Sequence, residues 1–317
     1  MKLIVDTDVG IDDAVALLML LAQPQVELLA ITTVMGNISL VQATHNAGVI
    51  LDAASAPEIP IFQGCARPLR QTPPLDAADI HGADGLGGAS SGKTTARQPQ
   101  PLPAALALIR LVRDHPGDIT LLTLGPLTNV ALAARLDAGF LANLKQLVMM
   151  GGSVDGRGNT TPPAEFNVMV DPEAAAVVLD GCRRAGTEAV LVSWEATLAH
   201  PQPLAMWEET IAGDSPVAAM MRQITDHFKQ RPWFTSQVLW PDPLAAAVAL
   251  QPEIVQAAES RAVSVDFGSG PGRGQTIVDY RHNSHRPPNC RIVRQVDTQQ
   301  FHRLLQAAVR QNVRDVG

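Results

Sequence analysis

Short runs of leucine, valine, isoleucine and threonine alternate along the chain with longer segments rich in alanine and leucine. Residues 3–7 predict a buried strand, and residues 12–22 predict a helix whose acidic first turn suits the positive N-terminal end of a helix. This rhythm is typical of an α/β fold, a Rossmann-like open sheet that is mostly parallel and has helices on both faces. Further strands are predicted at 28–35, 118–124, 144–150 and 188–193, and further helices at 40–53, 102–114, 127–136 and 172–181.

The C-terminal third follows a different pattern. Residues 201–250 are mainly helical in pattern, and a terminal helix is predicted after Asp297, which can cap it. Late strands are predicted at 261–267, 276–280 and 290–296. The largest irregular region is 63–101, rich in Gly, Pro, Ser and Thr, and loops of this length are usually functional or disordered. No internal repeat or linker divides the chain, so we predict a single domain over residues 1–317.

Composition narrows the possible roles. The 317 residues carry 24 Lys and Arg against 31 Asp and Glu, a net charge of −7, and only 4% are aromatic. This balance disfavours nucleic-acid binding, which needs clustered positive charge. No apolar run approaches the roughly 20 residues of a membrane helix, and the start enters a strand directly, unlike a secretory signal. Three widely spaced cysteines suit a reducing compartment, so we expect a cytoplasmic protein that contacts neither membranes nor nucleic acid.

Polar residues collect where the predicted strands end. Ligands of open α/β sheets bind beyond the carboxyl ends of the strands. The first strand runs into residues 6–13, which contain four aspartates, and the second ends in Met-Gly-Asn at 35–37. Two further strands run into glycines at 124–129 and 149–152. The sequence therefore predicts one acidic, glycine-lined site at this edge of the sheet.

The four aspartates of residues 6–13 predict a metal site. Carboxylates this close repel one another unless a cation neutralises them. Oxygen ligands without His or Cys nearby favour Ca²⁺ or Mg²⁺ over zinc. Helix capping accounts for Asp12 or Asp13 alone, but it does not account for Asp6 and Asp8 at the end of an apolar strand.

Two glycine-rich runs need separate interpretation. Residues 87–94 match the letters G-x-x-x-x-G-K-[ST] of a phosphate-binding loop. That mechanism requires a strand before the loop and a helix after it, and neither flank has such a pattern, so we reject a nucleoside-triphosphatase function. The run at 268–274 lies between two predicted strands, and we interpret it as a surface hairpin.

The motif D-x-D-x-G-x-D-D-A at residues 6–14 resembles the N-terminal signature of the inosine–uridine type nucleoside hydrolases. The resemblance continues in order as far as about residue 250. It is weakest in the C-terminal third, where only the Asp242 motif matches firmly. The further matching segments are 32–37, 81–87, 125–129, 150–152, 164–167, 171–174 and 242–245.

The resemblance implies hydrolysis of the N-glycosidic bond of ribonucleosides to ribose and a free base. It further implies that Asp8 acts as general base toward a water activated by one Ca²⁺ per subunit. Relatives are commonly homodimers or homotetramers. The implied calcium ligands are Asp8, Asp13, Asp242 and the backbone carbonyl of Leu124, and the implied ribose and substrate contacts are Asp12, Asn37, Met150, Glu165, Asn167 and Glu195.

One departure from the family pattern concerns the leaving group. Many members have His immediately before the calcium-binding Asp, where it can protonate a departing purine, whereas this chain has Pro241. His81 is then the best titratable candidate for a catalytic contact with the base, and His227 is a weaker one. Trp240 or Trp233 is a candidate for stacking on the base, although a buried Trp is more often part of the core.

Two alternative functions stay open at this point. Asp6-Thr7-Asp8 also fits the D-x-D motif of Mg²⁺-dependent phosphatases of the haloacid dehalogenase type, in which the first Asp is the nucleophile. The second alternative is a catalytically weak calcium- and nucleoside-binding protein, for which the absence of His at position 241 is the support.

Overall fold

The strands assemble mainly into one sheet, described for residues 1–70, 75–232 and 234–309 of this computed structural model. In the described residues this sheet has eight strands in the order β3-β2-β1-β4-β5-β6-β12-β9. The strands are β1 (Lys2–Thr7), β2 (Glu27–Thr33), β3 (Ile61–Gln63), β4 (Ile119–Thr123), β5 (Gln146–Met150), β6 (Ala189–Val192), β7 (Gln202–Pro203), β8 (Gln237–Val238), β9 (Val255–Arg261), β10 (Val263–Val265), β11 (Thr276–Val278) and β12 (Cys290–Val296).

Helices cover both faces of this sheet. Leu3 and Val5 of β1 pack into one apolar core, and Ile4 between them packs into the other, as expected because successive strand residues point to opposite faces. The predicted α/β architecture is confirmed. The helices are α1 (Ile11–Leu21), α2 (Leu40–Ala53), α3 (Ala78–His81), α4 (Ala104–Asp114), α5 (Thr128–Leu136), α6 (Phe166–Val170), α7 (Pro172–Ala185), α8 (Trp194–Ala199), α9 (Leu204–Thr210), α10 (Pro216–Lys229), α11 (Pro241–Leu250) and α12 (Thr298–Val309), with a 3-10 turn at Pro252–Ile254.

The order of the strands positions the site. The chain winds outward from β1 through β2 to β3, and then returns to place β4 on the other side of β1. All these pairs are parallel, so their carboxyl ends share one edge of the sheet. A crevice opens where the winding reverses, here between β1 and β4, and such crevices bind ligands in doubly wound folds.

The edges of the sheet differ from the predictions. The strand expected at 261–267 contains β10 but only the last residue of β9, which begins at Val255 and pairs antiparallel with β12. The sequence pattern missed β9 because its residues are half-buried at a sheet edge and lack clear alternation. The short strand β3 was likewise not predicted, and it ends at Gln63, where the region expected to be irregular begins.

The two glycine-rich runs behave as expected. No strand directly precedes residues 87–94 and no helix directly follows them. Residues 268–274 join β10 to β11, which pair antiparallel as a hairpin. Over the part of the chain that the structure describes, no helix has the length and apolar character needed to cross a membrane.

Candidate active site

The side chain of Asp8 occupies the crevice between the ends of β1, β2 and β4. Its Oδ2 accepts the backbone N–H of Asn37 at 2.7 Å, whereas its Oδ1 is buried with no hydrogen-bond partner. A Cβ at Gly36 would lie 1.9 Å from Oδ2, and a Cβ at Gly125 would lie 2.9 Å from the carboxyl carbon. These two glycines therefore provide the space for the carboxylate. Burial, followed by the charge of Asp13, raises the pKa of Asp8 well above its ordinary value.

The first turn of α1 adds two more carboxylates. Asp13 accepts the backbone N–H of Gly10 at 2.7 Å, the side-chain amide of Asn37 at 3.2 Å and the hydroxyl of Thr7. Asp12 has a buried Oδ1 without a partner. Burial raises the pKa of both aspartates to about 6. A pair of buried acids at the positive end of a helix is costly unless a ligand compensates their charge.

A third region of the chain completes an acidic cluster. Asp242 lies in the first turn of α11, buried, and one carboxylate oxygen from each of Asp12, Asp13 and Asp242 lies within 4.8 Å of the others. Burial and then the charges of the neighbouring aspartates raise the pKa of Asp242. The unpartnered Oδ1 atoms of Asp8 and Asp12 and a donor set made only of oxygen fit a hard divalent cation.

Of the predicted carboxylate ligands, Asp13 and Asp242 belong to this group, whereas Asp8 does not. The carbonyl of Leu124, the fourth predicted ligand, accepts the Nδ2–H of Asn167 at 2.7 Å. Asp12, predicted to contact the ribose, also lies among the carboxylates that could hold a metal ion.

A cavity of about 660 Å³ opens above this cluster. The lining divides into a polar part, called here the ribose end after the contacts predicted for it from the sequence, and an apolar part, called here the base end. Most of the apolar part comes from Phe228 of α10 and from the segment that leads into α11. The ribose end is lined by Asp12, Asn37, Leu124, Met150, Glu165, Asn167 and Asp242, and the base end by Ile80, Leu198, Phe228, Phe234, Val238, Leu239 and Pro241.

The start of α6 and the residue that caps it contribute two polar groups to the ribose end. The buried carboxylate of Glu165 accepts backbone N–H groups of Gly152 and Asn167 at 2.7 and 2.9 Å, and burial raises its pKa. The amide of Asn167 contacts the sulfur of Met150 at 3.3 Å. The backbone thus holds Glu165 and Asn167 rigidly at the wall of the cavity.

His81 lines the cavity between the two ends. Its Nδ1 accepts the backbone N–H of Ile11 at 3.0 Å and lies 3.9 Å from Asp12. When Nδ1 accepts a hydrogen bond, the proton of the neutral ring resides on Nε2. Burial lowers the pKa of His81 to about 4, so the ring is neutral at physiological pH.

Comparison with known proteins decides the family. The family model described as inosine-uridine preferring nucleoside hydrolase matches residues 3–303. This chain belongs to the inosine-uridine preferring nucleoside hydrolase family. It is an N-ribosyl hydrolase, which cleaves the N-glycosidic bond of ribonucleosides.

Individual relatives agree with this assignment. The hydrolase is 36% identical to the inosine-uridine preferring nucleoside hydrolase of Leishmania major, over 92% of this chain and 90% of the relative. It is also 36% identical to the non-specific ribonucleoside hydrolase RihC of Salmonella enteritidis, over 95% of each chain. Among solved structures, a plant nucleoside hydrolase superposes with a TM-score of 0.89 at 29% identity, covering 98% of this chain and 99% of the other.

The phosphatase alternative fails on family membership and on geometry. Asp6, its required nucleophile, is fully buried in the sheet, where it accepts hydrogen bonds from Thr32 and Asn129.

The structure corrects three expectations about the substrate contacts. Trp240 is buried in the core, with its ring 4.8 Å from that of Trp207, and it is absent from the cavity lining. Glu195 is absent from the lining too, because its oxygens accept backbone N–H groups of the turn at 154–157. His227 contacts Ile80 and Arg231 behind the wall. Trp233 lies outside the described residues.

Several lining residues were missed by the sequence reasoning. Phe228 and Phe234 line the base end, and Phe166 and Trp194 also line the cavity. Phe166 stands directly between the matched Glu165 and Asn167, and this adjacency was the available signal. Phe228 and Phe234 lie in the helical part of the chain, where no motif marks them.

Proposed function

We propose that this hydrolase uses one Ca²⁺ per subunit and releases ribose from both purine and pyrimidine nucleosides, with Asp8 as general base. The observation that supports the role of Asp8 is its buried Oδ1, which has no hydrogen-bond partner and lies close enough to Asp13 and Asp12 to interact with their charges. The names of the Leishmania and Salmonella relatives support a broad range of bases.

The ribose end binds the sugar in this proposal. Asp12, Asn37 and Asn167 hold the ribose hydroxyls, and Glu165 contributes a carboxylate acceptor. Asp8, Asp13, Asp242 and the carbonyl of Leu124 would hold the Ca²⁺, and a carbonyl ligand is indifferent to the side chain at that position. When bound, the cation would neutralise part of the acidic cluster and make a nearby water more acidic.

Side chains of the protein then accept the proton and stabilise the developing charge. Asp8 accepts the proton of the attacking water as general base. As the glycosidic bond breaks, the sugar develops positive charge at its anomeric carbon. The carboxylates of Asp12 and Glu165 stabilise this charge.

His81 assists the departing base as a neutral hydrogen-bond donor through Nε2. The pKa of His81 is lowered, and its Nδ1 accepts the backbone N–H of Ile11, so the charged imidazolium form is disfavoured. Pro241 has no side-chain proton to give. Phe228 and Phe234 provide apolar surface against which the base ring packs.

A sugar-release assay tests the proposal. We expect the purified protein to release reducing sugar from inosine and uridine with Ca²⁺ present, and to lose this activity with a chelator. Isothermal titration with Ca²⁺ provides a second readout, with a stoichiometry of one per subunit. Binding of nucleosides without release of ribose would instead support the nucleoside-binding alternative.

We also propose a cytoplasmic homodimer or homotetramer in which residues 1–317 form one domain. Three cysteines without disulfides support a reducing compartment. Exposed apolar side chains on the β10–β11 hairpin, Phe267 and Ile277, support an association surface. Light scattering after size-exclusion chromatography measures the subunit number directly.

A further inference from the structure

The base end of the cavity offers few hydrogen-bonding side chains. Ile80, Phe228, Phe234 and Pro241 present only apolar surface there. A nucleobase, however, carries polar atoms along its edge, and a buried polar group without a partner costs about 1–3 kcal/mol. A site that accepts nucleobases therefore needs at least one matching polar group at this end.

Two polar side chains accompany the apolar ones on the segment from Phe234 to Pro241. These are Thr235 and Gln237, and both line the cavity. The hydroxyl of Thr235 is already engaged, because it accepts the backbone N–H of Gln237 at 3.3 Å and donates to its carbonyl at 3.4 Å. Thr235 thus supports the backbone of Gln237.

The side-chain amide of Gln237 is free. Strand β8 pairs with β7, and the N–H of Leu204 donates to the carbonyl of Ser236 at 2.8 Å, so the backbone around Gln237 is fixed. The amide itself makes no hydrogen bond within the part of the chain that the structure describes. A glutamine amide has one acceptor oxygen and two donor hydrogens available for a ligand.

Two further uncharged polar side chains of the wall, Asn159 and Thr160, belong to the loop that leads to Glu165. The Oδ1 of Asn159 accepts the N–H of Phe166 at 2.8 Å and the hydroxyl of Thr160 at 3.2 Å. Both residues are thus engaged within their own loop. On the segment from Phe234 to Pro241, Gln237 is the exposed side chain whose amide is unengaged, and it is the candidate for the base.

We propose that Gln237 is a specificity-determining residue whose side-chain amide binds the polar edge of the nucleobase. The inference rests on the proposed function and extends it to the class of base. A rotation of 180° exchanges the oxygen and nitrogen of the amide. The same side chain can therefore donate to the keto group of uracil or hypoxanthine, or accept from the amino group of cytosine or adenine. Gln237 thus permits hydrolysis of both keto and amino nucleosides.

The variant Gln237→Glu tests this role, because a carboxylate only accepts hydrogen bonds. We expect kcat/KM to fall about tenfold for uridine and inosine and to be retained for cytidine and adenosine, as one hydrogen bond suggests. The ratios of cytidine to uridine and of adenosine to inosine therefore rise together. Gln237→Leu removes both functions and should lower kcat/KM for all four substrates.

A matched control separates recognition from added charge. Gln230→Glu makes the same chemical change at an exposed residue that follows α10 and is absent from the cavity lining. We expect its substrate ratios to equal those of the wild type. Thermal unfolding of each variant checks that the fold is retained.

The outcomes distinguish the two proposals. If the wild type releases ribose but Gln237→Glu keeps both ratios within twofold, the role of Gln237 is overturned and the proposed function stands. If the wild type releases ribose from none of the four nucleosides, both proposals fail together.

Discussion

The two ends of the cavity are built on different principles. At the ribose end and in the acidic cluster beside it, Asp8, Asp13 and Glu165 each accept a backbone N–H group from the end of a strand or the start of a helix. At the base end, Phe228 and Phe234 are placed by the packing of a helical segment. A site fixed by backbone hydrogen bonds tolerates little change, whereas one fixed by side-chain packing can vary in shape. We therefore expect mutations at the ribose end to alter the chemical step, and mutations at the base end to alter base preference and affinity.

The largest effect is expected from Asp8→Asn, which keeps the size of the side chain and removes its basicity. We expect kcat for inosine and uridine to fall by about a thousandfold, the typical contribution of a general base. Single-turnover measurement of ribose release checks this expectation.

Asp6→Asn is the matched control for Asp8→Asn. It makes the same substitution at a buried aspartate two residues away, whose carboxylate accepts hydrogen bonds from Thr32 and Asn129 within the sheet. We expect a lower melting temperature and a kcat close to that of the wild type per folded protein. If Asp6→Asn lost turnover while Asp8→Asn kept full turnover, the role of general base would pass from Asp8 to Asp6.

A smaller effect is expected from Phe234→Ala at the base end. Removing the ring takes away apolar contact with the base, so KM should rise about tenfold while kcat changes little. Steady-state kinetics with inosine and uridine measures both constants. A fall in kcat comparable to that of Asp8→Asn would show that the two ends do not act separately.

The acidic cluster also predicts how stability depends on pH when no divalent cation is present. An unfolded aspartate has a pKa near 3.8, whereas those of Asp12 and Asp13 in the fold are about 6. Carboxyls with raised pKa values stabilise the fold at low pH, and this contribution is lost as pH rises through about 6. The melting temperature in chelator should therefore fall between pH 5 and 7, by several degrees.

Added Ca²⁺ should restore the melting temperature at pH 7, because binding to the folded state alone stabilises it. Differential scanning calorimetry at both pH values, with and without the cation, makes the comparison. A melting temperature that rises over this range in chelator would contradict the raised pKa values.

The smallest effect on activity is expected from Trp240→Phe. Its ring packs against Trp207 and Phe228 in the core, outside the cavity lining. We expect kcat/KM to stay within twofold of the wild type, and the free energy of unfolding to fall by about 1–3 kcal/mol. A tenfold rise in KM without loss of stability would show that Trp240 contributes to binding of the base.

The same contrast explains how much the sequence alone could predict. Strand ends follow from hydrophobic runs, and parallel strands bring their ends together, so Asp8, Asn37 and the carbonyl of Leu124 were placed correctly at one edge. Asp242 was found only through the resemblance, since no local pattern connects it with residues 200 positions earlier.

Predictions failed where tertiary packing decides. Trp240 and Phe234 are both aromatic residues just before Asp242, and nothing in their spacing tells which of them lines the cavity. Glu195 follows a strand as the other acids do, yet its carboxylate is taken up by the backbone of a neighbouring turn.

Gly36 and Gly125 carry a consequence for how this enzyme can diverge. Neither has the left-handed backbone that usually makes glycine necessary. Their requirement is one of volume, because even a methyl group at either position would meet the carboxylate of Asp8. In a saturation library selected for nucleoside use, these two positions, which supply no functional group, should tolerate as little variation as the catalytic aspartate itself. The need for space beside the carboxylate of Asp8 therefore limits sequence change in this enzyme as strictly as the need for reactive groups.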